Sequence, residues 1–289
     1  MEHKCAHCAK KKERTEKEYK DTYKQIKETL LKQKYKENYP LATLIGGQPG
    51  SGKSELLKYI KFKNNNTIAI DGDSIRTFHP HIDEIVNEYG TEYPKVTQPF
   101  VNQAVEQLID ELSRDKYNLV IEGTLRDINV PIKTARMLDE RDYLVELYIV
   151  ATNKELSWQS TVARGDMMKD KGEIPRYVDK THHDRVTEIL PETVRDLVNE
   201  ESIYNIVIMR RDQSIIYDKN EMPDLDPKDI LERELAGEHV KDIDEIKQEQ
   251  EELEMEDKTS IQDLIEEAQE ELLDEHIESV LHIDKGHER

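Results

Sequence analysis

Residues 41–54 read LATLIGGQPGSGKS, a short apolar run that leads into a glycine-rich turn ending in Lys-Ser. The turn matches the pattern G-x-x-x-x-G-K-[ST] at every fixed position. In this pattern the glycines let backbone N–H groups surround a phosphate, the lysine reaches the β- and γ-phosphates, and the final hydroxyl binds Mg²⁺. The apolar run is a predicted strand, and a predicted helix over 53–62 adds its positive dipole end. The segment therefore predicts a P-loop that binds a nucleoside triphosphate.

The predicted nucleotide-binding residues are Gly47, Gln48, Pro49, Gly50, Ser51, Gly52, Lys53 and Ser54. Ser54 is also the predicted Mg²⁺ ligand. A P-loop alone does not separate a kinase from an NTPase motor or a GTPase switch. The chain has 289 residues, no second glycine-rich motif and no recognisable GTPase base-reading motif, which favours an ATP-using kinase.

Apolar runs alternate with helical patterns after the P-loop. Strands are predicted at 67–71, 117–123, 143–151 and 205–211, and helices at 102–114, 131–140, 153–169 and 180–200. This alternation predicts an α/β fold, a P-loop NTPase-like parallel sheet with helices on both faces. The strands are near-continuous apolar runs, which is typical of parallel strands that are buried on both faces.

Two predicted strands end in carboxylates. Asp71-Gly72-Asp73 closes the second strand and Glu122-Gly123-Thr124 closes the third. Ligands of open α/β sheets lie at the carboxyl ends of the strands, where one carboxylate of Asp71-Gly72-Asp73 can accept a proton from a substrate hydroxyl. Glu122-Gly123-Thr124 can contact the substrate or Mg²⁺. Acids at such positions also cap helices and turns, and from the residues alone both interpretations stay open.

Two arginines flank the segment GDMMKDKGEIP, residues 165–175. The segment holds two glycines and a proline between helical stretches, which favours a lid over the phosphates. Arg164 and Arg176 would then neutralise the charge that develops on the γ-phosphoryl group. The alternative is that both are solvated arginines of a charged segment.

The charge of the chain is unevenly distributed. The formal net charge is −21, yet residues 1–40 hold 12 Lys/Arg against 7 Asp/Glu, whereas residues 221–289 hold 7 against 26. We therefore predict an N-terminal basic helical extension over 1–40, a kinase domain over 41–220 and an acidic helical tail over 221–289. The body offers no net positive field, which argues against nucleic-acid binding.

Both ends of the chain carry helical patterns. One amphipathic helix is predicted over 10–38, ended by Pro40, with Tyr19, Tyr23, Ile26 and Leu30 as its apolar stripe. Helices are predicted over 227–258 and 260–282. The tail is either a solvated appendage or a docking helix for a partner or for the basic N-terminal helix.

The sequence has no apolar run near the roughly 18 residues that a membrane helix needs, and no secretory signal. Its two cysteines, Cys5 and Cys8, form no disulfide framework, and a cytosolic setting is the expectation. His3 and His7 give these cysteines metal-like spacing. Structural zinc usually needs four protein ligands, so an inert terminus is favoured over a zinc site.

Three blocks together carry a family likeness: GGQPGSGKS at 46–54, IAIDGDSIRTFHP at 68–80 and YNLVIEGTLRDINVP at 117–131. In order and spacing they resemble the zeta toxins of bacterial toxin–antitoxin systems, and the likeness runs from Leu41 to Arg211. The resemblance implies a kinase that uses ATP and Mg²⁺ to phosphorylate the 3′-hydroxyl of the amino sugar of UDP-N-acetylglucosamine, which blocks peptidoglycan synthesis. It also implies an epsilon-type antitoxin, a small helical protein that obstructs the ATP site.

The resemblance assigns roles residue by residue. Asp73 falls on the catalytic base, and Lys53 and Ser54 on the P-loop lysine and the metal-binding hydroxyl. Arg164 and Arg176 fall on the two arginines that clamp the γ-phosphate. The substrate-binding positions are Glu122, Thr124 and Arg126, with Glu106 as a further acid near the sugar site.

Some parts of the chain depart from the family pattern. The N-terminal helix and the acidic tail match no block of the family core, and the lid segment matches only at its arginines. Two rival functions therefore remain. One is a P-loop kinase for another nucleotide-sugar, nucleotide or small metabolite, which a substrate panel would reveal. The other is a nucleotide-binding interaction protein without transfer activity, which slow ATP hydrolysis with no acceptor effect would support.

Overall fold

A six-stranded sheet organises the protein, whose computed structural model describes residues 15–123 and 125–248. The strands are β1 (Leu41–Gly46), β2 (Ile68–Ile70), β3 (Leu119–Glu122), β4 (Leu144–Val150), β5 (Asn205–Met209) and β6 (Ile215–Asp218). They lie in the order β2-β3-β1-β4-β5-β6. The first five are parallel to their neighbours, whereas β6 runs antiparallel to β5 at the edge. The predicted α/β fold with a parallel sheet is confirmed, and β6 is an addition that the sequence did not indicate.

Nine helices are described around this sheet: α1 (Glu16–Leu30), α2 (Lys53–Lys63), α3 (Gly72–Arg76), α4 (Ile82–Tyr89), α5 (Tyr93–Arg114), α6 (Asn129–Asp139), α7 (Lys154–Asp170), α8 (Lys180–Leu197) and α9 (Pro227–Ala236). Successive residues of a strand point to opposite faces of the sheet. Leu44 accordingly joins one buried cluster with residues of α1 and α5, and Ile45 joins another with Leu56 of α2. Apolar cores on both faces explain why the strands are apolar at nearly every position.

The parallel register brings the functional ends of three strands to one edge. Ile45 of β1 lies beside Glu122 of β3, and Ile70 of β2 lies beside Ile121. The P-loop that follows β1, the acids that follow β2 and the carboxylate that closes β3 therefore meet at the same edge of the sheet.

The amphipathic N-terminal helix is shorter than predicted. Its apolar stripe is buried as expected, at Tyr19, Tyr23 and Ile26. The capping box between Thr15 and Glu18 begins α1, and the helix ends at Leu30 instead of continuing to residue 38. No glycine or proline marks this end. The helix ends because the backbone beyond it forms hydrogen bonds with another part of the chain. For example, the amide N of Tyr35 donates to Asn66 Oδ1 at 2.9 Å.

Helix α5 is longer than predicted, because it begins at Tyr93 and not near residue 102. Pro94 occupies one of the first positions of the helix, where a missing N–H costs nothing, and Pro99 lies inside it. These two prolines led the sequence prediction to place the start of the helix after them. Helix α6 likewise begins at Asn129, two residues before the predicted Pro131.

The first part of the acidic tail belongs to the body. Ile230 and Leu231 of α9 join the main apolar cluster, and Leu235 is buried as well. Helix α9 ends at Gly237, which has a φ of +84° suited to glycine, so the single helix predicted over 227–258 is wrong. The first compact unit ends at Val240 and a second begins at Lys241, whereas the sequence placed the boundary at 220.

Several predictions lie outside the described residues: the helix over 260–282, the possible metal site around Cys5 and Cys8, and the substrate position Thr124. Within residues 15–123 and 125–248, no helix has the length and apolar character needed to cross a membrane.

Candidate active site

An open cleft of about 980 Å³ lies at the carboxyl edge of the sheet. The predicted site residues that line it are Pro49, Gly50, Gly52, Lys53, Ser54, Asp73, Glu122, Arg126, Arg164 and Arg176. Glu106 is not among the lining residues, because it lies exposed on α5 outside the cleft. The structure thus brings residues of the P-loop, acids that follow two neighbouring strands, and the arginines Arg164 and Arg176 to one place.

The P-loop glycines adopt backbone conformations that L-residues avoid. Gly47, Gly50 and Gly52 have φ values of +137°, +74° and +109°. A Cβ at Gly50 would overlap the carbonyl oxygen of Ser157 on α7. Glycine is therefore required twice over at this position, by the turn and by the close approach of the helix that carries Arg164.

Lys53 is buried at the first turn of α2. Its Nζ donates to the carbonyl oxygens of Gly47 at 2.9 Å and Gln48 at 3.0 Å. Burial, with smaller contributions from the neighbouring Arg164 and Arg176, lowers the pKa of the Lys53 ammonium to about 8, although Glu122 opposes the shift. The ammonium is a buried cation whose charge a bound phosphate would compensate.

The two acids after β2 have different surroundings. Asp71 is the N-cap of α3, since its carboxylate accepts from the backbone N–H groups of Asp73 at 3.0 Å and Ser74 at 3.1 Å, and from the Ser74 hydroxyl at 2.6 Å. Among the described residues, Asp73 accepts no capping hydrogen bond from a backbone N–H, and its side chain is 43% exposed in the cleft. Of the two interpretations left open by the residues, the cap describes Asp71 and not Asp73.

Asp73 lies between two cations. The Nη1 of Arg176 forms an ion pair with Asp73 Oδ2, and the Nε of Arg76 lies 4.0 Å from Oδ1. Arg76 is itself fixed by α5, where its guanidinium donates to Thr97 Oγ1 at 2.6 Å and Gln98 Oε1 at 3.0 Å. Sequence reasoning did not single out Arg76, although it lies in the block IAIDGDSIRTFHP.

Glu122 faces Lys53 from the end of β3. Burial raises the pKa of the Glu122 carboxyl and Asp71 adds to the rise, while Lys53 and Arg164 oppose it. Ser54 is exposed within the same cleft. Mg²⁺ in nucleotide sites is usually held by one or two protein oxygens together with phosphates, so a hydroxyl and a partly buried carboxylate that line one cleft fit it. Within the described residues, no three His, Cys, Asp or Glu side chains are grouped to hold a metal by themselves.

Arg164 has an unused donor. Its Nε is buried, and it makes no hydrogen bond to any described residue. Buried N–H groups without partners are rare in folded proteins. A phosphate oxygen next to the P-loop would satisfy this donor with a charge-assisted hydrogen bond.

The cleft also holds residues that the sequence did not indicate, namely His182, Tyr177 and Arg211. Burial lowers the pKa of His182 and the nearby Arg126 lowers it further, which keeps the imidazole neutral at pH 7. Arg211 follows the end of β5, so the rule that ligands lie at the carboxyl ends of strands would have found it. No motif marks His182, which reaches the cleft only through the packing of α8.

The fold and the site define a P-loop phosphotransferase of the kinase type. The family model described as Zeta toxin matches residues 26–222. The chain therefore belongs to the zeta toxin family, which confirms the resemblance drawn from its three sequence blocks.

Relatives and a solved structure agree with this assignment. Toxin PezT of Streptococcus pneumoniae serotype 4 is 37% identical over 227 residues, which cover 78% of this chain and 89% of the relative. Toxin zeta of Streptococcus agalactiae is 37% identical over 223 residues, 76% of this chain and 78% of the relative. A structure from the characterisation of the PezAT chromosomal toxin–antitoxin system of S. pneumoniae superposes with a TM-score of 0.71 at 32% identity, covering 84% of this chain and 98% of that one.

Proposed function

We propose that this chain transfers the γ-phosphoryl group of ATP, with Mg²⁺, to the 3′-hydroxyl of the amino sugar of UDP-N-acetylglucosamine. One observation carries the proposal. Asp73, a carboxylate that caps no helix among the described residues, lies in the same cleft as three cations that suit a phosphoryl group: Lys53, Arg164 and Arg176. Kinases need this combination, because phosphoryl transfer depends on positioning and on stabilisation of charge.

The chemistry follows from the positions of these residues. Asp73 takes the proton of the sugar hydroxyl while the oxygen of that hydroxyl bonds to the γ-phosphorus. The bond between the γ-phosphorus and the β–γ bridging oxygen breaks, which releases ADP. Lys53 and Arg164 stabilise the charge on the transferring group. Bound Mg²⁺ supplies further neutralisation of the β- and γ-phosphates, and Ser54 would hold it.

The lining of the cleft supports an anionic substrate. Arg126 and Lys95 line the cleft together with His182, whose pKa is lowered. Cationic and neutral donors of this kind suit a nucleoside diphosphate carrying a sugar. The choice of UDP-N-acetylglucosamine itself comes from membership of the zeta toxin family.

We further propose that the chain acts as a toxin that is held in check by an antitoxin of the epsilon type. The support is that its relatives are named toxins and that the similar structure comes from a toxin–antitoxin system. Consumption of UDP-N-acetylglucosamine would remove a peptidoglycan precursor, which gives the toxicity its chemical basis.

Mass spectrometry tests the proposed reaction. The purified protein is incubated with ATP, Mg²⁺ and UDP-N-acetylglucosamine, and the product is expected to gain one phosphoryl group. Asp73→Asn is expected to retain ATP binding and to lose transfer by about 10²- to 10⁴-fold, the usual contribution of a general base. Asp83→Asn, an exposed acid on α4, is the matched control and is expected to be fully active.

Other outcomes would redirect the proposal. ATP consumption without a phosphorylated sugar nucleotide would exclude this acceptor while keeping the kinase chemistry. An Asp73→Asn variant as active as the wild type would remove Asp73 from the reaction.

A further inference from the structure

Arg211 joins the P-loop to the helix that carries Arg164. It lies two residues after β5, and its guanidinium donates from Nε to the Ser51 carbonyl oxygen at 3.1 Å. Its Nη2 donates to the Gly50 carbonyl oxygen and, at 2.9 Å, to Ser160 Oγ on α7. One planar side chain thus holds two successive P-loop carbonyl groups and one hydroxyl of a neighbouring helix.

The captured carbonyl groups restrict the N–H groups of the same peptides. A peptide unit is planar and trans, so its N–H points away from its C=O. The Ser51 carbonyl accepts from Arg211 and also from Thr152 Oγ1 at 2.8 Å. Two donors on that oxygen fix the Gly52 N–H on the opposite side of the peptide plane, and P-loop N–H groups are the ones that bind phosphate.

The stem of Arg211 lies against the loop as well. A Cβ at Gly52 would lie 3.1 Å from Arg211 Cγ, so the glycine leaves room for the side chain to cross it. Burial lowers the pKa of the Arg211 guanidinium, in keeping with a side chain partly enclosed by the loop.

The hydrogen bond from Arg211 to Ser160 of α7 links the position of the P-loop to the helix that carries Arg164. Ser160 lies one helical turn before Arg164, and both residues line the cleft. Movement of the P-loop relative to α7 would therefore change the distance between the nucleotide cradle and the arginine beside it.

We propose that Arg211 is a positioning residue that sets the P-loop N–H groups for triphosphate binding and couples the loop to α7. The proposal rests on the proposed nucleotide binding and is independent of the identity of the acceptor. According to the proposal, Arg211 affects the binding of the triphosphate part of the nucleotide and makes no contact with the base or the sugar.

The test compares two probes, ATP and inorganic triphosphate. Each is titrated into the protein in a calorimeter in the presence of Mg²⁺. Arg211→Met keeps the length of the stem and removes all three hydrogen bonds. It is expected to weaken both probes equally, by about tenfold or more, because hydrogen bonds from a charged group typically contribute 1.5–3 kcal/mol. Loss of ATP affinity with unchanged triphosphate affinity would overturn the proposal, since it would show that Arg211 contacts the nucleoside.

Three further variants complete the experiment. Arg210→Met is the matched control, since the adjacent Arg210 pairs with Glu234 of α9 at 3.1 Å, and it is expected to leave both affinities unchanged. Arg211→Lys, with one ammonium in place of the planar fork, is expected to recover part of the affinity. Ser160→Ala removes the link between Arg211 and α7 and leaves both P-loop hydrogen bonds of Arg211 in place, so it is expected to lower kcat while the affinity for triphosphate stays the same. An unchanged kcat would remove the coupling from the proposal.

Thermal unfolding of each variant shows whether it folds. If Arg211→Met does not fold, the comparison between Arg211→Lys and the wild type decides the question by the same criterion. Wild-type protein that binds neither probe would contradict the proposed function itself, and the two affinity measurements do not depend on the acceptor.

Discussion

Asp73 and Arg176 form an ion pair within the cleft. The acid comes from the first turn of α3, and the arginine comes from the segment between α7 and α8. The segment is therefore tied to the acid that the proposed reaction uses as its base. An acceptor hydroxyl that hydrogen-bonds to Asp73 competes with Arg176, and the displaced guanidinium would then be free to contact the γ-phosphate.

Removal of Arg176 tests its role in transfer. Arg176→Met is expected to lower kcat by about 10²-fold or more, because arginines that stabilise the transferring phosphoryl group contribute at least that much. Arg176→Lys should recover part of the rate, since it restores a point charge without the planar fork. Arg185→Met, at an exposed position of α8, serves as the control. Equal kcat values for Arg176→Met and Arg185→Met would exclude the proposed role.

The lowered pKa of Lys53 predicts a pH dependence of ATP binding. With a pKa of about 8, Lys53 is protonated at pH 7 and loses its proton as the pH rises. ATP prefers the ammonium, so binding above pH 8 requires proton uptake, and the affinity should fall by up to about tenfold per pH unit there. Calorimetry in buffers of different ionisation enthalpy measures the proton uptake directly.

Lys53→Arg provides the control for this profile. An arginine stays charged throughout the range, so its ATP affinity, although weaker, should not change between pH 7 and pH 9.5. A wild-type profile as flat as that of Lys53→Arg would mean that Lys53 does not titrate near pH 8.

Two adjacent histidines, His182 and His183, are expected to differ in their contributions to the free energy of unfolding and to phosphoryl transfer. The His183 ring is fully buried, shares a hydrogen bond of 2.9 Å with Ser157 Oγ, and packs edge-on against Trp158 at a centroid distance of 5.6 Å. His183→Ala should lower the free energy of unfolding by about 3 kcal/mol through a cavity and a lost hydrogen bond. His182→Ala should cost under about 1 kcal/mol and act on transfer. Urea unfolding distinguishes the two, and equal costs would contradict the assignment.

Gly165 of α7 contacts the ring of Tyr177, the residue after Arg176. A Cβ at Gly165 would overlap this ring. Gly165→Ala favours the helix by about 1 kcal/mol, yet it should displace the Tyr177 segment and lower kcat. In a double-mutant cycle, adding Gly165→Ala to Tyr177→Ala should cost no further activity, because the ring is gone. Additive losses in kcat would show that the contact with the ring is not the cause.

The parallel strands were predictable because burial on both faces leaves a direct mark on composition. The run at 143–151 became β4, Leu144–Val150, with little error. Strand β6 has only four residues, and its partner β5 defines it more than its own pattern does. For α9 the sequence predicted the start at residue 227 but neither its end at Ala236 nor its burial, since the acidic composition of the tail outweighed the few apolar residues that the body buries.

The candidate site was only partly predictable. The P-loop has a strict pattern, and five of its predicted residues line the cleft, namely Pro49, Gly50, Gly52, Lys53 and Ser54. The choice between Asp71 and Asp73 depends on local backbone geometry, since the acid at the N-cap position accepts from two N–H groups. Arg76, His182 and Arg211 reach the cleft through tertiary packing, which spacing along the chain does not encode.

The boundary of the body gives the last prediction. Deletion of residues 221–289 would remove α9, whose Ile230, Leu231 and Leu235 are buried and whose Glu234 pairs with Arg210. Each buried aliphatic side chain contributes about 1.5–3 kcal/mol, so a fragment of residues 1–220 should unfold at lower urea concentration than a fragment of residues 1–240. The difference in free energy of unfolding is expected to be about 3 kcal/mol or more. Leu231→Ala in the full chain should cost about 2–5 kcal/mol for the same reason. Equal stability of the two fragments would show that α9 is not part of the folded body.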